Sequence, residues 1–396
     1  MLKVVQINIT CGMGSTGQIC VAVSDLLTKV GIENYILYTS GYSDHPAGKK
    51  YMSATEVKIQ ALKSRVTGNY GFQSKKATER LIAELDRIEP DIVYLHNLHG
   101  HNVHLEYLFQ YFKSKKTKLF WTFHDCWSLT GYCPHYDMIG CDKWKMGCHA
   151  CPQKSHYSWF FDRSGYLYEK KKQLFAGLDL TIVTPSKWMA EQVKMSFLKD
   201  YSVQVVHNGI DLSVFSPKKS NFREKYGIGN KYIVLGVAFD WGVRKGLDVF
   251  EYLAENLNSD IFQIVLVGTN LEIDKKLPQK IISVHRTVNQ TELAEIYTSA
   301  DVFLNPTREE VLGLTNIESL ACGTPVITFS TGGSVECVDE TCGIVVEKND
   351  IDSLLGIISD FGQIRKLTKE NCIRKAMEFN ASVKYQEYVE MILNAR

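Results

Sequence analysis

Residues 306–333, "PTREEVLGLTNIESLACGTPVITFSTGG", have the pattern of a loop, a short helix and a buried strand. The apolar residues of "TNIESLACG" recur at helical spacing and end at a glycine, and "PVITFS" is typical of a buried strand. We expect the helix to begin near Leu314 or Thr315, with Glu310 in the preceding loop and Glu318 about one turn inside. Since "DVFLNP" before this stretch is also strand-like, the segment predicts one strand–helix–strand unit of a parallel sheet.

The same unit recurs in two consecutive series along the chain. One series runs from "LKVVQINI" to "VQVVHNGID", and the next runs from "KYIVLGVAF" to "GIVV". We therefore predict an α/β protein of two doubly wound, Rossmann-like domains, which face across a ligand-binding cleft. The predicted domains are residues 1–210 and 211–375, and residues 376–396 form an amphipathic helix that caps or crosses between them.

The composition excludes several classes of protein. The chain has 396 residues, 45% of them hydrophobic and 22% charged, and its formal net charge is +1. Nothing in this balance points to nucleic acid. No apolar run is long enough to cross a bilayer, and the start of the chain reads as a strand rather than a signal peptide. We expect a cytoplasmic protein. In a reducing compartment structural disulfides are not expected, so clustered cysteines among the 11 are interpreted first as metal ligands.

The second half carries a candidate phosphate site. A helix N-terminus binds phosphate through its free N–H groups, and Gly313 would let the backbone approach a ligand closely. Arg244 and Lys245 lie in a Gly-containing loop after the first strand of this half, where cations meet phosphates. Taken alone, the two glutamates and this basic pair are better explained as solvated surface charges.

The first half has a glycine-rich turn, "NITCGMGSTGQI", between its first strand and first helix. Gly14 and Gly17 would present backbone N–H groups there, although the turn is neither a Walker A loop nor a full dinucleotide fingerprint. Polar residues follow two later strands. His124 is a candidate sugar contact, with a structural histidine as the alternative, and the weaker acceptor-side candidates are His96, Asn97 and His99.

A cysteine-rich insertion, residues 126–152, contains four thiols in "CPHYDMIGCDKWKMGCHAC". Four soft ligands suffice for a closed tetrahedral zinc site, which would be structural because no coordination position stays open. The predicted ligands are Cys133, Cys141, Cys148 and Cys151. His135 or His149 could replace one of them, and free or redox-active thiols are the alternative.

Two segments combine basic and aromatic residues. "KIQALKSRVTGNYGFQSKK" and "SHYSWFFDRSGYLYEKKK" suit an anionic membrane surface, and a solvated face with satellite core aromatics explains them about as well.

As a set, these motifs resemble glycosyltransferase family 4, the retaining nucleotide-sugar transferases with the GT-B fold. The resemblance spans nearly the whole chain and includes "STGQI", "TFHD", "TPSKWM", "HNGID" and the two glutamates followed by "SLACGTPVI". It implies that the terminal helix returns to the first domain. Two departures are visible: Ala238-Phe239 stands where many members have Gly-Arg, and "EVLG" at residues 310–313 replaces the family's "EGFG".

The resemblance implies roles residue by residue. Glu310, His124 and Lys245 are the predicted catalytic residues. The predicted donor-binding residues are Arg244, Lys245, Glu310, Gly313, Leu314, Thr315, Glu318, Gly14 and Gly17. Glu310 would contact the donor sugar, Glu318 the ribose, and the basic pair the diphosphate. No catalytic metal is expected, since no Asp-x-Asp motif is suitably placed.

We thus predict retaining transfer from a nucleotide-diphosphate sugar, UDP ahead of GDP, to a polyprenyl-diphosphate-linked oligosaccharide in bacterial surface polysaccharide synthesis. This chemistry would place the protein on the inner face of the plasma membrane as a peripheral protein. The alternative is a zinc-stabilised carbohydrate-binding or scaffold protein of the same fold without transferase activity.

Overall fold

The chain divides into two compact units. The computed structural model describes residues 2–395, except the side chain of residue 361. One unit comprises the residues up to His207 together with those from Tyr385 onward, and the other comprises Asn208–Lys384. Each unit is built around one parallel sheet.

The first unit contains a seven-stranded parallel sheet in the order β3-β2-β1-β4-β5-β6-β7. Its strands are β1 (Lys3–Ile7), β2 (Glu33–Tyr38), β3 (Gly48–Lys50), β4 (Ile92–Leu95), β5 (Lys118–Thr122), β6 (Leu180–Thr184) and β7 (Ser202–Val205). Its helices are α1 (Gly14–Lys29), α2 (Ala54–Thr67), α3 (Lys75–Ile88), α4 (Leu105–Lys115), α5 (Lys154–Tyr157), α6 (Ser164–Phe175) and α7 (Lys187–Lys194). The central strands β4 and β5 are almost entirely buried because helices cover both faces of a parallel sheet.

The second unit contains a six-stranded parallel sheet in the order β10-β9-β8-β11-β12-β13. Its strands are β8 (Tyr232–Val237), β9 (Phe262–Val267), β10 (Ile281–Val284), β11 (Val302–Asn305), β12 (Val326–Phe329) and β13 (Gly343–Val346). The helices are α8 (Phe222–Lys225), α9 (Leu247–Asn256), α10 (Leu271–Asp274), α11 (Gln290–Ser299), α12 (Leu314–Ala321), α13 (Ile351–Ser359), α14 (Phe361–Ile364) and α15 (Lys369–Met377). Two apolar clusters, centred on Leu235 and Val234 of β8, fill the space on either side of this sheet.

A last helix, α16 (Ala381–Asn394), begins in the second unit and belongs to the first from Tyr385 onward. Tyr388 is fully buried, its ring lies 5.9 Å from that of Tyr94 in β4, and its hydroxyl donates to the carbonyl of Val206.

In both sheets the order in which strands are added reverses at one place. This place lies between β1 and β4 in the first unit and between β8 and β11 in the second. This is the Rossmann strand order, and ligands of such sheets bind beyond the carboxyl ends of the strands at the reversal. The prediction of two doubly wound α/β domains is confirmed. Ligand-binding groups are therefore expected in the loops that follow β1, β4, β8 and β11.

Candidate active site

Lys245 and Glu310 form an ion pair where the sheet of the second unit reverses. The Lys245 Nζ lies 2.7 Å from a Glu310 carboxylate oxygen, and each side chain is about a fifth exposed. Lys245 ends a 3-10 turn after β8, and Glu310 lies in the loop after β11. The other carboxylate oxygen accepts the N–H of Val311 at 3.2 Å, so the backbone also orients Glu310. The pair thus places a positive charge and an oriented acceptor where a ligand is expected.

Arg308 joins the two loops that carry this pair. Its guanidinium donates two hydrogen bonds to the carboxylate of Asp248, at 2.8 and 2.7 Å, and further ones to the Val243 carbonyl and to Asn349. The N–H of Arg308 also donates to the carbonyl of Arg244 at 2.9 Å. Such a two-pronged arginine–carboxylate pair fixes both partners in distance and angle. Sequence reasoning missed Arg308 and Asp248, because no local pattern links residues 60 positions apart.

Two glycines shape the backbone beside Glu310. Gly313 precedes the first residue of α12, Leu314, with a φ of 87°, so the predicted helix start is correct. Gly332 has a φ of 53°, and a Cβ added there would lie 1.7 Å from the Glu310 carbonyl oxygen. Because only glycine fits such a close approach, the segment around Gly332 packs directly against the backbone of Glu310.

A buried polar network fixes the first turns of α12, which carry the predicted residues Leu314 and Thr315. The Asn316 amide donates to the Ser334 hydroxyl at 2.9 Å and accepts from the Asn305 amide at 2.8 Å. The Asn316 side chain is fully buried, and both of its polar ends are bonded. The N-terminal end of α12 is therefore rigidly placed beside the β11 loop.

Glu318 lies within α12 and is half-buried. The hydroxyl of Tyr297, from α11, donates to the carboxylate at 3.1 Å. Burial raises the pKa of Glu318 to about 7, and the Tyr297 hydrogen bond offsets only part of that effect. A carboxylate in this state is ready to gain hydroxyl donors from a ligand.

The glycine-rich turn of the first unit lies at the end of β1. Gly14, with a φ of 66°, is the first residue of α1. Gly17 packs against the turn so closely that an added Cβ would lie 2.7 Å from the Thr10 hydroxyl. The Thr10 hydroxyl in turn donates to the Met13 carbonyl at 2.7 Å. These contacts give Gly17 a structural reason for being glycine, while Gly14 lies at the helix N-terminus where the sequence predicted it.

His124 follows β5 and ends a series of side-chain hydrogen bonds. The Gln6 amide donates to the carbonyl of Cys20 at 2.9 Å, so its oxygen accepts from Nε2 of His96 at 3.2 Å. His96 Nδ1 must then accept from Nε2 of His124 at 3.1 Å. Burial lowers the pKa of His124 to about 4 and that of His96 well below its usual value, so both rings are neutral. This series of hydrogen bonds assigns the His124 proton to Nε2 and makes Nδ1 an acceptor. Nδ1 is buried, and it has no hydrogen-bond partner in the part of the protein that the structure describes.

His99 and Asp125 form a second pair beside this chain. His99 Nε2 lies 2.7 Å from one Asp125 oxygen, and the N–H of Trp127 donates to the other at 2.9 Å. Burial alone would raise the pKa of Asp125, but these neighbours bring it to about 2. Asp125 is therefore ionised, and it orients His99.

The four cysteines of the insertion line one small cavity of about 20 Å³, together with His149. The N–H of Gly131 donates to the Cys148 sulfur at 3.3 Å. Within residues 2–395, however, no three Cys, His, Asp or Glu side chains are placed as a metal site. The cavity brings the predicted thiols together without assembling them as ligands.

The structure thus groups the predicted residues in two sets. Arg244, Lys245, Glu310 and Gly313 occupy neighbouring loops of the second unit, joined by Arg308. His124 and Gly14 follow strands of the first unit. At the departure from the family pattern, Ala238-Phe239, the side chain of Phe239 follows β8 and is almost fully exposed.

Comparisons with known proteins identify the family of the chain. The family model described as "Glycosyltransferase Family 4" matches residues 17–214, and that described as "Glycosyl transferases group 1" matches residues 218–379. A putative colanic acid biosynthesis glycosyl transferase of Escherichia coli K12 is 24% identical over 283 residues, which are 67% of this chain and 66% of that protein. An O-antigen biosynthesis glycosyltransferase of Escherichia coli is 28% identical over 47% of this chain and 51% of its own length. The alignments therefore span about half to two thirds of these relatives.

Solved structures share the fold over the full chain. Anabaena HepE, solved in complex with UDP, has a TM-score of 0.70 and 13% identity, covering 100% of both chains. WaaG, described as a glycosyltransferase involved in lipopolysaccharide biosynthesis, has a TM-score of 0.66 and 16% identity, covering 98% of this chain and 99% of its own. At these identities the likeness establishes the fold, which is that of GT-B glycosyltransferases.

Proposed function

The chain belongs to glycosyltransferase family 4, and on that premise we propose that it transfers a sugar from a nucleotide-diphosphate sugar, UDP ahead of GDP, with retention of configuration. The observation that carries the proposal is the Lys245–Glu310 pair, 2.7 Å apart, at the sheet reversal beside the N-terminus of α12. A cation, an oriented carboxylate and a helix N-terminus are the groups needed for a diphosphate that carries a sugar.

In the proposed reaction, the bond between the anomeric carbon and the diphosphate oxygen breaks. The acceptor hydroxyl oxygen bonds to that carbon on the same face, and its proton passes to the departing phosphate oxygen. Lys245, Arg244 and the N-terminus of α12 stabilise the negative charge on the leaving group. Glu310 accepts hydroxyl hydrogen bonds from the sugar and so orients it. In the first unit, His124 is the residue that we propose as a sugar contact. Glu318 accepts the ribose hydroxyls.

For the acceptor, we propose a polyprenyl-diphosphate-linked oligosaccharide in bacterial surface polysaccharide synthesis. Support comes from the two relatives above, whose names refer to colanic acid and O-antigen biosynthesis. A lipid-linked acceptor requires the protein to work as a peripheral protein on the cytoplasmic face of the plasma membrane. Among residues 2–395, no helix has the length and apolar character needed to cross a bilayer.

We also propose that the insertion binds a structural zinc ion through Cys133, Cys141, Cys148 and Cys151. All four cysteines line one cavity, and binding would require their thiols to turn into it. A nearby ammonium supports an anionic centre. Lys171 is fully buried and donates to the carbonyls of Trp127 and Thr130. The next residue, Gly131, donates its N–H to Cys148. Four thiolates around one zinc ion carry net negative charge, which would offset that of Lys171.

A thermal-shift panel tests the transferase. UDP, GDP, ADP and CMP are each added to wild type, to Lys245→Ala and to the matched control Lys276→Ala, whose lysine is exposed in the same unit. A ligand at about 100 times its dissociation constant should stabilise the protein by about 2.7 kcal/mol. We expect one diphosphate to shift wild type and the Lys276 variant but not the Lys245 variant.

If no nucleotide shifts wild type, the alternative of a carbohydrate-binding or scaffold protein with this fold gains support. A shift that survives in Lys245→Ala would contradict the diphosphate role of Lys245. The stereochemical outcome needs a separate measurement, since nucleotide binding is common to retaining and inverting enzymes. Proton NMR of the product from the identified donor reports the anomeric configuration directly.

A further inference from the structure

Helix α2 exposes three of its four larger apolar residues. Its inward side holds only one of them, the part-buried Val57, beside Gln60, Ala61 and the buried Ser64. Its outward side exposes Ile59, Leu62 and Val66, at 46%, 54% and 39% of their surface. An ordinary surface helix shows the reverse distribution, because burial of apolar area is what fixes it to the core.

The outward residues form a single stripe with cations along both edges. Positions 59, 62 and 66 are spaced three and four residues apart, so they lie above one another on the helix. At 100° per residue, Lys58 and Arg65 lie on one side of the stripe and Lys63 lies on the other. The only acidic residue of the helix, Glu56, is held by the capping serine Ser53 and by Arg80, so it does not oppose these cations.

An exposed aromatic loop adjoins the C-terminal end of this stripe. Trp159, Phe160 and Phe161 are consecutive and half exposed or more, at 50%, 65% and 56%. The N–H of Trp159 donates to the carbonyl of Arg65 at 2.8 Å, which ties the loop to the last turn of α2. The Tyr132 hydroxyl also bridges the two, since it donates to the Gly68 carbonyl and accepts the N–H of Arg163.

We propose that the outward side of α2 and the loop Trp159–Phe161 form one membrane-docking face for anionic lipid. Apolar and aromatic side chains enter the headgroup boundary while the flanking cations meet anionic headgroups. The inference deepens the proposed function and rests on it for choosing a membrane over a protein partner. It also corrects the sequence interpretation, because Tyr168 and Lys171 of the second basic-aromatic segment are buried and take no part.

Lipid vesicles test the face directly. The purified full chain is floated with vesicles of phosphatidylcholine alone and with phosphatidylglycerol added. We expect binding only to the anionic vesicles, weakened by salt, with a blue shift of Trp159 fluorescence. Leu62→Ser and the pair Trp159→Ser with Phe160→Ser should each lower the vesicle affinity at least about tenfold. Lys58→Gln with Lys63→Gln should remove the preference for anionic lipid.

The matched control is Leu271→Ser, which removes an even more exposed leucine from the second unit and should bind vesicles like wild type. Equal binding of wild type to neutral and anionic vesicles, or undiminished binding of the Leu62 and Trp159 variants, would overturn the proposal. So would self-association that Leu62→Ser abolishes while vesicles bind nothing, since the face would then receive a second copy. The nucleotide thermal shift is read in parallel on the same samples, so a failed donor site and a failed docking face give different results.

Discussion

Glu318 shows how burial tunes a single carboxyl group. Its pKa of about 7 lies above the ordinary value because burial disfavours the charged form. The titratable groups beside it are the hydroxyl of Tyr297, which donates to it, and the thiol of Cys322, whose own pKa burial raises to about 12. Neither neighbour supplies a positive charge that would offset the cost of burying the charged form of Glu318.

Donor binding should therefore release a proton below neutral pH. Ribose hydroxyls donate to the ionised carboxylate, so the dissociation constant of UDP-glucose should rise about tenfold for each pH unit below 7. Titration calorimetry in two buffers of different ionisation enthalpy measures both affinity and proton release. UDP-glucose is preferred to UDP because its diphosphate does not titrate in this range. Glu318→Gln should bind more weakly and without this slope, and a flat wild-type profile would refute the assignment.

The same pKa predicts an effect on folding. Between about pH 4.5 and 7 the unfolded chain has lost the Glu318 proton while the folded protein keeps it. The folded state then binds more protons, so this group makes the protein less stable as pH rises through that window. Glu318→Gln should remove this contribution. Urea unfolding of both proteins at several pH values measures it, and a stability difference independent of pH would argue against the raised pKa.

The histidine chain gives a prediction that NMR can read. Because burial lowers the pKa of His124 to about 4, its ring should stay neutral at pH 6, with the proton on Nε2. Nitrogen-15 shifts of labelled protein report both the charge and the tautomer. Gln6→Met removes the acceptor for His96 and should let the His124 tautomer vary. Titration of His124 near 6.5, the pKa of a solvated histidine, would contradict the buried, neutral state that we assign to it.

At the level of elements, the segment after β12 supports the loop that carries Glu310. Gly332→Ala would force a Cβ to 1.7 Å from the Glu310 carbonyl at a positive φ. We expect a loss of at least about 2 kcal/mol in the free energy of unfolding and weaker donor binding. Gly356→Ala is the matched control: nothing lies within 4 Å of its added Cβ inside α13, so it should stabilise by about 0.5–1 kcal/mol. Urea denaturation compares the two, and equal effects would show that the contact carries no constraint.

The cysteine insertion is an element whose order should depend on metal. We expect purified protein to contain one equivalent of zinc by mass spectrometry, and Cys148→Ala or Cys151→Ala to lose it. Chelation should lower the melting temperature of wild type, since zinc affinity contributes to folding. Cys322→Ala, which removes a buried thiol in the other unit, should retain the metal. A protein free of zinc and insensitive to chelator would instead support the alternative of free or redox-active thiols.

At the scale of the whole molecule, the family resemblance and the presence of two doubly wound α/β domains could be predicted from the sequence. Strand and helix patterns depend on side chains only a few positions apart, so a periodic reading finds them. The helix α4, the short edge strand β3 and the exposed side of α2 escaped prediction. In α2 the apolar spacing does not distinguish a side that faces the core from one that faces outward, because exposure is decided by what packs against the helix.

By itself, then, the sequence determined the alternation of strands and helices, the family, and the identities of the groups that follow the strands. Only the tertiary structure decided which of those groups meet. Lys245 and Glu310 are 65 positions apart, as Arg308 and Asp248 are 60 apart, and each pair forms because β8 and β11 are neighbours in the sheet. Likewise, the neutral state of His124 and the raised pKa of Glu318 depend on burial, a property of the surrounding fold that no local stretch of sequence contains.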